Sequence, residues 1–459
     1  MKDLVVIGGG PGGYVAAIRA RQLGMNVTLI EKDAMGGTCL NRGCIPTKAY
    51  YRNALAMRDI LNCNEFNIQV ENASFDMKAA RQRKDKIVDN LVSGIEKLLQ
   101  TNGVEKIIGE ANLLDKNHVL VNGQEIETRN ILLATGSIPA SLPFEGINLP
   151  GVINSDQLLE WEEIPAKLAI IGGGVIGLEF ACIFNSLGSK VTIFEYTPEL
   201  LNSMDNELGK RLRVFLKKQN ITVHTATTVE KISLFNDALL VTAMGKKGAV
   251  ESPADVILIA SGRKPYTEGL NLDNLNIEVS ESGFIKVDNN FITNIENIYA
   301  IGDVIGGHML AHVASEEGIA AVEHMAGIPA HIPYHAVPAC IFTIPEIASV
   351  GMSEEAAKAE GIEYQVGKFQ FAANGKALTM GETDGMVKVL ADQNDVIIGV
   401  HIIGPHASDL IMEGTIMVKN HMKITDMIGT IHPHPTLSET VMEALLDVHG
   451  KAIHLAPKR

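Results

Sequence analysis

Short, unbroken apolar runs that end at glycine punctuate the first two thirds of this chain. Residues 4–7 run into Gly8 and residues 168–171 into Gly172. Residues 131–134 end at Thr135-Gly136, residues 257–260 at Ser261-Gly262, and residues 298–301 at Gly302-Asp303. Apolar runs of this length, bounded by turn signals, read as short buried strands. The first is followed by a glycine turn over 8–13, a helix over 14–23 and a strand over 26–30 that ends at Glu31. The unit recurs 164 residues later: a strand over 168–171, a glycine turn, a helix reaching about Leu187, and a strand over 190–194 that delivers Glu195. Between the copies the apolar spacing predicts a long amphipathic helix over 83–101 and hairpin-like strands near 119–121 and Ile126. A further helix is expected over 312–325. From about His335 the texture changes, with strand-like stretches at 363–371, 385–390 and 396–402 interspersed with helices at 354–360, 407–421 and 440–447. The pattern predicts an α/β chain with two Rossmann-like dinucleotide-binding folds and a separate C-terminal α+β domain.

The glycines of each turn have separate tasks. Gly8 and Gly172 make the tight turn, Gly10 and Gly174 let backbone approach a pyrophosphate, and Gly13 and Gly177 let helix pack on strand. The helix N-terminus then faces the phosphates with the positive end of its dipole. Glu31 and Glu195 stand where a carboxylate accepts hydrogen bonds from ribose hydroxyls. Such an acid favours a free 2′-hydroxyl, whereas a 2′-phosphate requires arginine. Glu195 is followed by Tyr196, Thr197 and Pro198, so the second fold is expected to take NAD rather than NADP. Asp303, at the end of a buried strand, suits a ribityl or ribose hydroxyl, or else an N-cap for the helix over 312–325.

Just downstream of the first turn, Gly36-Gly37-Thr38-Cys39-Leu40-Asn41-Arg42-Gly43-Cys44-Ile45-Pro46-Thr47-Lys48 holds two cysteines five positions apart. In a regular helix their Cα atoms would lie roughly 8–9 Å apart, whereas a disulfide requires about 4.4–6.8 Å. Bridging them demands a distorted turn, which Gly43 and Pro46 permit or impose. A strained bridge is more easily reduced, as a catalytic one must be. A metal would need further Cys or His ligands at suitable spacing, yet only Cys63 comes near and no histidine precedes His118. The pair therefore reads as redox-active. Cys63, Cys182 and Cys340 are isolated and are expected to pack as small hydrophobes.

Composition narrows the setting. At 459 residues, with 46% hydrophobic and 20% charged content, the chain is an ordinary globular protein too long for one core. No apolar run reaches membrane-spanning length and the N-terminus lacks a signal-peptide pattern, so no membrane partner and a cytoplasmic location are expected. A net charge of −15 argues against nucleic-acid binding.

Taken with His432-Pro433-His434-Pro435-Thr436-Leu437-Ser438-Glu439, the twin nucleotide folds and the Cys39–Cys44 segment resemble the flavin-dependent disulfide reductases over essentially the whole chain. The match is nearest to their dihydrolipoamide-oxidising branch. The resemblance implies FAD in the first fold and NAD in the second. It implies domains over 1–145 (FAD, first part), 146–266 (NAD), 267–336 (FAD and central, second part) and 337–459 (dimerisation). Glu31 would take the adenosine ribose, and Lys48 would lie near the flavin, paired with Glu179. Ala111, Thr135, Gly136, Ser137, Asp303 and the loop Met309, Leu310, Ala311, His312 would line the flavin. Glu179, Glu195, Val229 and Gly262 would join the second glycine turn around NAD. The family pattern makes Cys39 the interchange thiol and Cys44 the thiolate that meets the flavin. It also places His434, oriented by Glu439, in the active site of the other subunit, so that a homodimer is the catalytic unit. The implied activity is oxidation of dihydrolipoamide carried on lipoyl domains of 2-oxoacid dehydrogenase or glycine cleavage complexes, with reduction of NAD⁺.

Departures from the pattern are few. Arg42 stands where the family commonly has valine, and Thr47 where serine is frequent. The Arg42 guanidinium either stabilises a thiolate, in which case Arg42→Val raises the thiol pKa, or points to solvent. No cysteine follows Cys340, unlike mercuric reductases and thiol-tailed thioredoxin reductases, and Glu195 speaks against an NADP-preferring glutathione reductase.

Overall fold

In the computed structural model, which describes residues 1–236 and 238–456, the first apolar run forms the strand Lys2–Ile7 inside a seven-stranded sheet. Val27–Glu31 pairs with it on one side and Gln124–Leu133 on the other, both parallel, so that Ile7 lies opposite Ile30 and Leu133. Ile298–Ala300 runs parallel to Gln124–Leu133 beyond. Leu4, Val5 and Val6 are fully buried, which is why the run is apolar at every position instead of alternating. A central strand whose two parallel neighbours lead away in opposite directions leaves a crevice at the strand ends, the usual nucleotide site of doubly wound sheets.

The second copy repeats the arrangement. Lys167–Ile171 sits between Lys190–Phe194 and Val256–Ile259 in a five-stranded parallel sheet completed by Thr222–His224 and Val152–Asn154. A three-stranded antiparallel sheet, Thr227–Phe235, Ala238–Gly245 and Gly248–Ala254, enters the chain before Val256–Ile259. The C-terminal segment is a five-stranded antiparallel sheet in the order Ala339–Ile341, Glu346–Gly351, Ile397–Gly404, Met386–Asp392, Tyr364–Gln370. Its core takes Ile411 and Met417 from the helix Ala407–Lys419, and Val441 and Ala444 from Glu439–Val448.

Several boundaries move for identifiable reasons. The first helix begins at Pro11, not Tyr14, because proline at the first helical position needs no N–H partner. The long helix starts at Met77, six residues before the expected Arg83, where Asp76 caps it by accepting from the Ala79 N–H at 3.0 Å. The helix Asn206–Lys218, absent from the sequence reading, is signalled by Leu208, Leu212, Phe215 and Leu216 along one face. Residues 457–459, the end of the expected last domain, lie outside the described residues. No helix among the described residues is long and apolar enough to cross a membrane.

Candidate active site

The two glycine turns share one set of contacts. A Cβ at Gly8 would lie 2.2 Å from the Ala134 carbonyl oxygen and one at Gly172 2.3 Å from that of Ala260, with φ at +110° and +118°. At Gly13 and Gly177 a Cβ would come within 1.8 and 2.1 Å of the Gly8 and Gly172 carbonyl oxygens. Helix and strand thus approach to a distance that only glycine allows. Gly174, by contrast, has nothing within 4 Å, and Gly10 only the Gly37 Cα at 3.9 Å. Each turn therefore keeps its open side at the helix N-terminus.

The strand-end acids hold these turns in shape. Glu31 accepts from the N–H groups of Gly9 at 2.7 Å and Asp33 at 2.9 Å. Glu195 accepts from the N–H groups of Gly173 at 2.6 Å and Thr197 at 2.7 Å, and from the Thr197 hydroxyl at 2.5 Å. Sequence reasoning misses Gly9 and Gly173. Their signal is the middle glycine of each Gly-Gly-Gly, where a Cβ would collide with Met35 at 2.7 Å or Leu200 at 2.6 Å.

Around the first turn, Glu31, Ala111, Thr135 and Tyr266 line a small pocket. The Thr135 hydroxyl donates to the Tyr266 carbonyl at 2.6 Å, and Lys32 Nζ sits 3.5 Å above the Tyr266 ring. Gly136, at φ +71°, leads into Ser137, whose buried hydroxyl donates to Asp303 at 2.5 Å and accepts from Arg263 at 2.7 Å. Asp303 lies in a 3-10 turn, Gly302–Ile305. It does not cap the next helix, because Ala311–Met325 has Leu310 at its N-cap and no side-chain cap bond. That alternative for Asp303 falls. His312 turns to the Pro338 carbonyl at 2.9 Å, while Met309, Leu310 and Ala311 face the large cavity.

The helix breaks between the cysteines. Gly37–Arg42 ends at Gly43 (φ −142°, ψ −113°), and Cys44–Leu61 begins there. A Cβ on Gly43 would lie 2.9 Å from the Thr38 carbonyl oxygen, so glycine is what lets the two helices abut. Both cysteines are free thiols, and the titration of each is governed first by the other. The neighbouring Cys39 thiol first, then the Lys48 charge, pulls the Cys44 pKa down to about 7 against desolvation and the Glu179 carboxylate. The proximity of Cys44, with burial, pushes Cys39 above the ordinary thiol range. The pair is therefore asymmetric, with Cys44 the easier of the two to ionise.

Lys48 meets Glu179 with both carboxylate oxygens, at 2.9 and 2.8 Å, and lies 4.4 Å over the Phe342 ring. Glu179, on a side chain only 6% exposed, also accepts from the Phe342 N–H at 3.0 Å. Arg42 pairs with Asp33 on a half-exposed side chain. Its guanidinium, on the cavity wall, is thus engaged by a carboxylate, while Lys48 is the charge that lowers the Cys44 pKa. Cys63 and Cys182 are buried as expected, with burial pushing Cys182 up to about 12. Cys340 departs from expectation: it faces the cavity, and burial first, then Glu346, pushes its thiol up to about 11.

His434 projects from a C-terminal loop with its side chain 78% exposed, Nδ1 at 2.9 Å from Glu439 Oε1. Glu439 Oε2 accepts from the Thr436 N–H at 2.9 Å. Despite some cost from burial, these donors hold the Glu439 carboxyl below its usual range. A ring fixed at Nδ1 by a carboxylate presents Nε2 for proton transfer. His434 and Glu439 do not line the cavity of their own chain. A second pair escapes sequence reasoning: His432, with its side chain 6% exposed, reaches Glu413 at 2.9 Å and so ties the same loop to the helix Ala407–Lys419.

One cavity of about 1070 Å³ joins these parts. It runs from Cys39, Cys44 and Lys48 past Glu179 to Gly172, Gly174, Glu195, Val229 and Gly262, and it reaches Asp303. On its wall stands Ser261, whose hydroxyl is the one buried side-chain polar atom without a hydrogen-bond partner among the described residues. Cradles that a Cβ would fill, an acid at the end of each second strand and an orphan hydroxyl suit dinucleotides better than a compact substrate. Among the described residues no group of three or more His, Cys, Asp or Glu is placed to hold a metal.

Known proteins with this layout are numerous. The family model for pyridine nucleotide-disulphide oxidoreductases matches residues 2–318, and the model for the dimerisation domain of the same family matches residues 337–445. The mitochondrial dihydrolipoyl dehydrogenase of Pisum sativum is 41% identical, covering 99% of this chain and 92% of its own length. The dihydrolipoyl dehydrogenase of Bacillus subtilis is also 41% identical, covering 98% of this chain and 99% of its own. Among solved structures, the HOCl-induced flavoprotein disulfide reductase RclA from Escherichia coli superposes with a TM-score of 0.87 at 30% identity, over 96% of this chain and 99% of that one. With two thiols, two nucleotide turns and a dimerisation sheet in one continuous chain, the protein belongs to the FAD-dependent pyridine nucleotide-disulphide oxidoreductases.

Proposed function

We propose that the chain oxidises dihydrolipoamide to lipoamide and reduces NAD⁺ to NADH, acting as a homodimer with FAD in its first nucleotide fold. The observation that carries this reading is a single cavity holding a thiolate with pKa about 7 at one end and an acid-tipped glycine turn at the other. The dihydrolipoyl dehydrogenases that match it over 92% and 99% of their own length support the choice of dithiol. In this reading residues 1–145 and 267–336 form the FAD unit, 146–266 the NAD unit and 337–459 the dimerisation unit.

Each residue then has a chemical task. In the oxidised enzyme Cys39 and Cys44 share a disulfide. A substrate thiolate attacks the Cys39 sulfur, the bond between the two protein sulfurs breaks, and Cys44 leaves as a thiolate. Its pKa of about 7 makes it the better leaving group of the pair. His434 of the second subunit takes the proton of the remaining substrate thiol, which attacks the mixed disulfide, releases cyclic lipoamide and expels Cys39. Cys39 regains a proton, in keeping with a thiol pKa held above that of Cys44. When bound, FAD supplies the relay that takes an electron pair from a thiolate and passes it on as hydride. Lys48, fixed by Glu179, steadies the Cys44 thiolate, and Glu195 accepts the adenosine 2′-hydroxyl of NAD. The dithiol would arrive on lipoyl domains of 2-oxoacid dehydrogenase or glycine cleavage complexes. NADH formation by the FAD-loaded dimer with dihydrolipoamide tests the reading. Turnover with NAD⁺ far above NADP⁺, abolished by Cys44→Ser, is expected; no NADH from the loaded wild type overturns it.

A further inference from the structure

We infer that Glu317 is a positioning residue for Asp303, and that through it the helix Ala311–Met325 sets how tightly the first nucleotide fold retains FAD. The inference rests on the reading above, which places FAD there.

Glu317 is 3% exposed, yet it stands among apolar residues of its helix. Both of its oxygens are engaged by donors from outside that helix. Oε2 accepts from the Gly302 N–H at 2.7 Å, and Oε1 from the Tyr334 hydroxyl at 2.7 Å. Gly302 is the residue before Asp303 and sits at φ +71°, where the chain leaves the strand Ile298–Ala300. The carboxylate thus fixes the peptide that aims Asp303 at Ser137. Tyr334 in turn stacks on His308 at 5.9 Å and 11°, one residue before Met309 on the cavity wall. One side chain therefore ties the Asp303 turn, the 308–310 loop and the connector at 334–336 to a single helix.

That helix is itself a fixed reference. A Cβ on Gly318 would lie 2.6 Å from the Gly12 carbonyl oxygen, and one on Gly12 2.9 Å from that of Ala314. The helix carrying Glu317 cannot slide without displacing the helix Pro11–Gln22, whose N-terminus closes the first glycine turn. Burial raises the Glu317 pKa, and the nearby Asp303 charge adds to that. An apolar residue would be the less costly occupant if packing were its only task.

The test is a thermodynamic cycle on FAD affinity, measured by titrating apoprotein with FAD. Glu317→Leu is expected to weaken FAD by about tenfold or more, because it strands the buried Gly302 N–H. In an Asp303→Ala background the same change is expected to cost no more than about threefold, since its effect passes through Asp303. Glu317→Gln is expected to restore affinity: its carbonyl accepts from Gly302, and the Tyr334 hydroxyl can turn to accept from the amide. If Glu317→Leu does not fold, Tyr334→Phe replaces it in the cycle, with a smaller effect in the same direction. Equal losses in both backgrounds, or a lowered apoprotein melting temperature with unchanged FAD affinity, overturn the inference. A wild-type chain that takes up no FAD overturns the reading beneath it as well.

Discussion

Removing the Cys39 thiol should raise the pKa of its neighbour, and the size of the rise follows from the structure. The neighbouring Cys39 thiol is the largest of the influences holding Cys44 at about 7, with Lys48 second among those that lower it. Burial and Glu179 act the other way. In Cys39→Ala the first influence disappears and the opposing ones remain, so Cys44 should titrate near the ordinary thiol value of about 8.5 or above. At about pH 7.5 the thiolate fraction then falls from about three quarters to about one tenth. Cys39→Ser restores a donor at the same place and should return the pKa most of the way. The rate of alkylation by iodoacetamide, followed against pH with the modified peptide identified by mass, reads this directly. Interference is small, because Cys182 and Cys340 are pushed up to about 12 and about 11 and Cys63 is buried. If Cys39→Ala and Cys39→Ser titrate together at about 7, the neighbouring thiol is not what stabilises the thiolate, and the asymmetry assigned to the pair is wrong.

The two residues behind Cys44 should act with opposite signs in the same assay: Lys48→Met raises its pKa, while Glu179→Gln lowers it by removing a carboxylate that opposes the thiolate. Both should nevertheless slow NADH formation, since each breaks the 2.8 Å ion pair. Arg42→Val should leave the titration in place, because Arg42 is engaged by Asp33; a clear rise would restore its role as a thiolate partner. The glycines of the second turn should separate folding from binding. Gly177→Ala, with its Cβ 2.1 Å from a carbonyl oxygen, should cost about 3 kcal/mol in denaturant unfolding. Gly174→Ala, with nothing within 4 Å, should unfold like wild type yet raise KM for NAD⁺, whose pyrophosphate needs that space.

How much of this was legible depends on what fixes each feature. The nucleotide folds can be read because backbone clashes select residue type: no other side chain fits at Gly8 or Gly13, so sequence and contact carry the same information. The C-terminal strands were found within a residue or two, but not Ala339–Ile341 or Glu346–Gly351, where Pro338 and Pro345 interrupt the period-two pattern. Long-range partners left no local trace. Glu413 lies 19 residues from His432, and Tyr334 lies 17 residues from Glu317. Nothing in either neighbourhood marks the pairing. Arg42 shows the opposite failure, since its place between two cysteines suggested chemistry whereas its partner lies nine residues upstream.

On the function proposed above, the same logic accounts for two similarly built nucleotide turns serving different ends. Glu31 and Glu195 hold their turns through the same pair of N–H donors, one on the second glycine and one two residues past the acid. What differs is what lies beside each turn. The counterpart hydroxyls Thr135 and Ser261 occupy the same place after their strands, yet Thr135 is bonded to the Tyr266 carbonyl while Ser261 has no partner among the described residues. The first unit is thus closed by its own chain around the small pocket of Glu31, as retention of a resident cofactor requires. The second leaves its glycine turn, its acid and an unpaired hydroxyl on the wall of the large cavity, as exchange of a nucleotide at every turnover requires. Closing the second site in the manner of the first would slow that exchange.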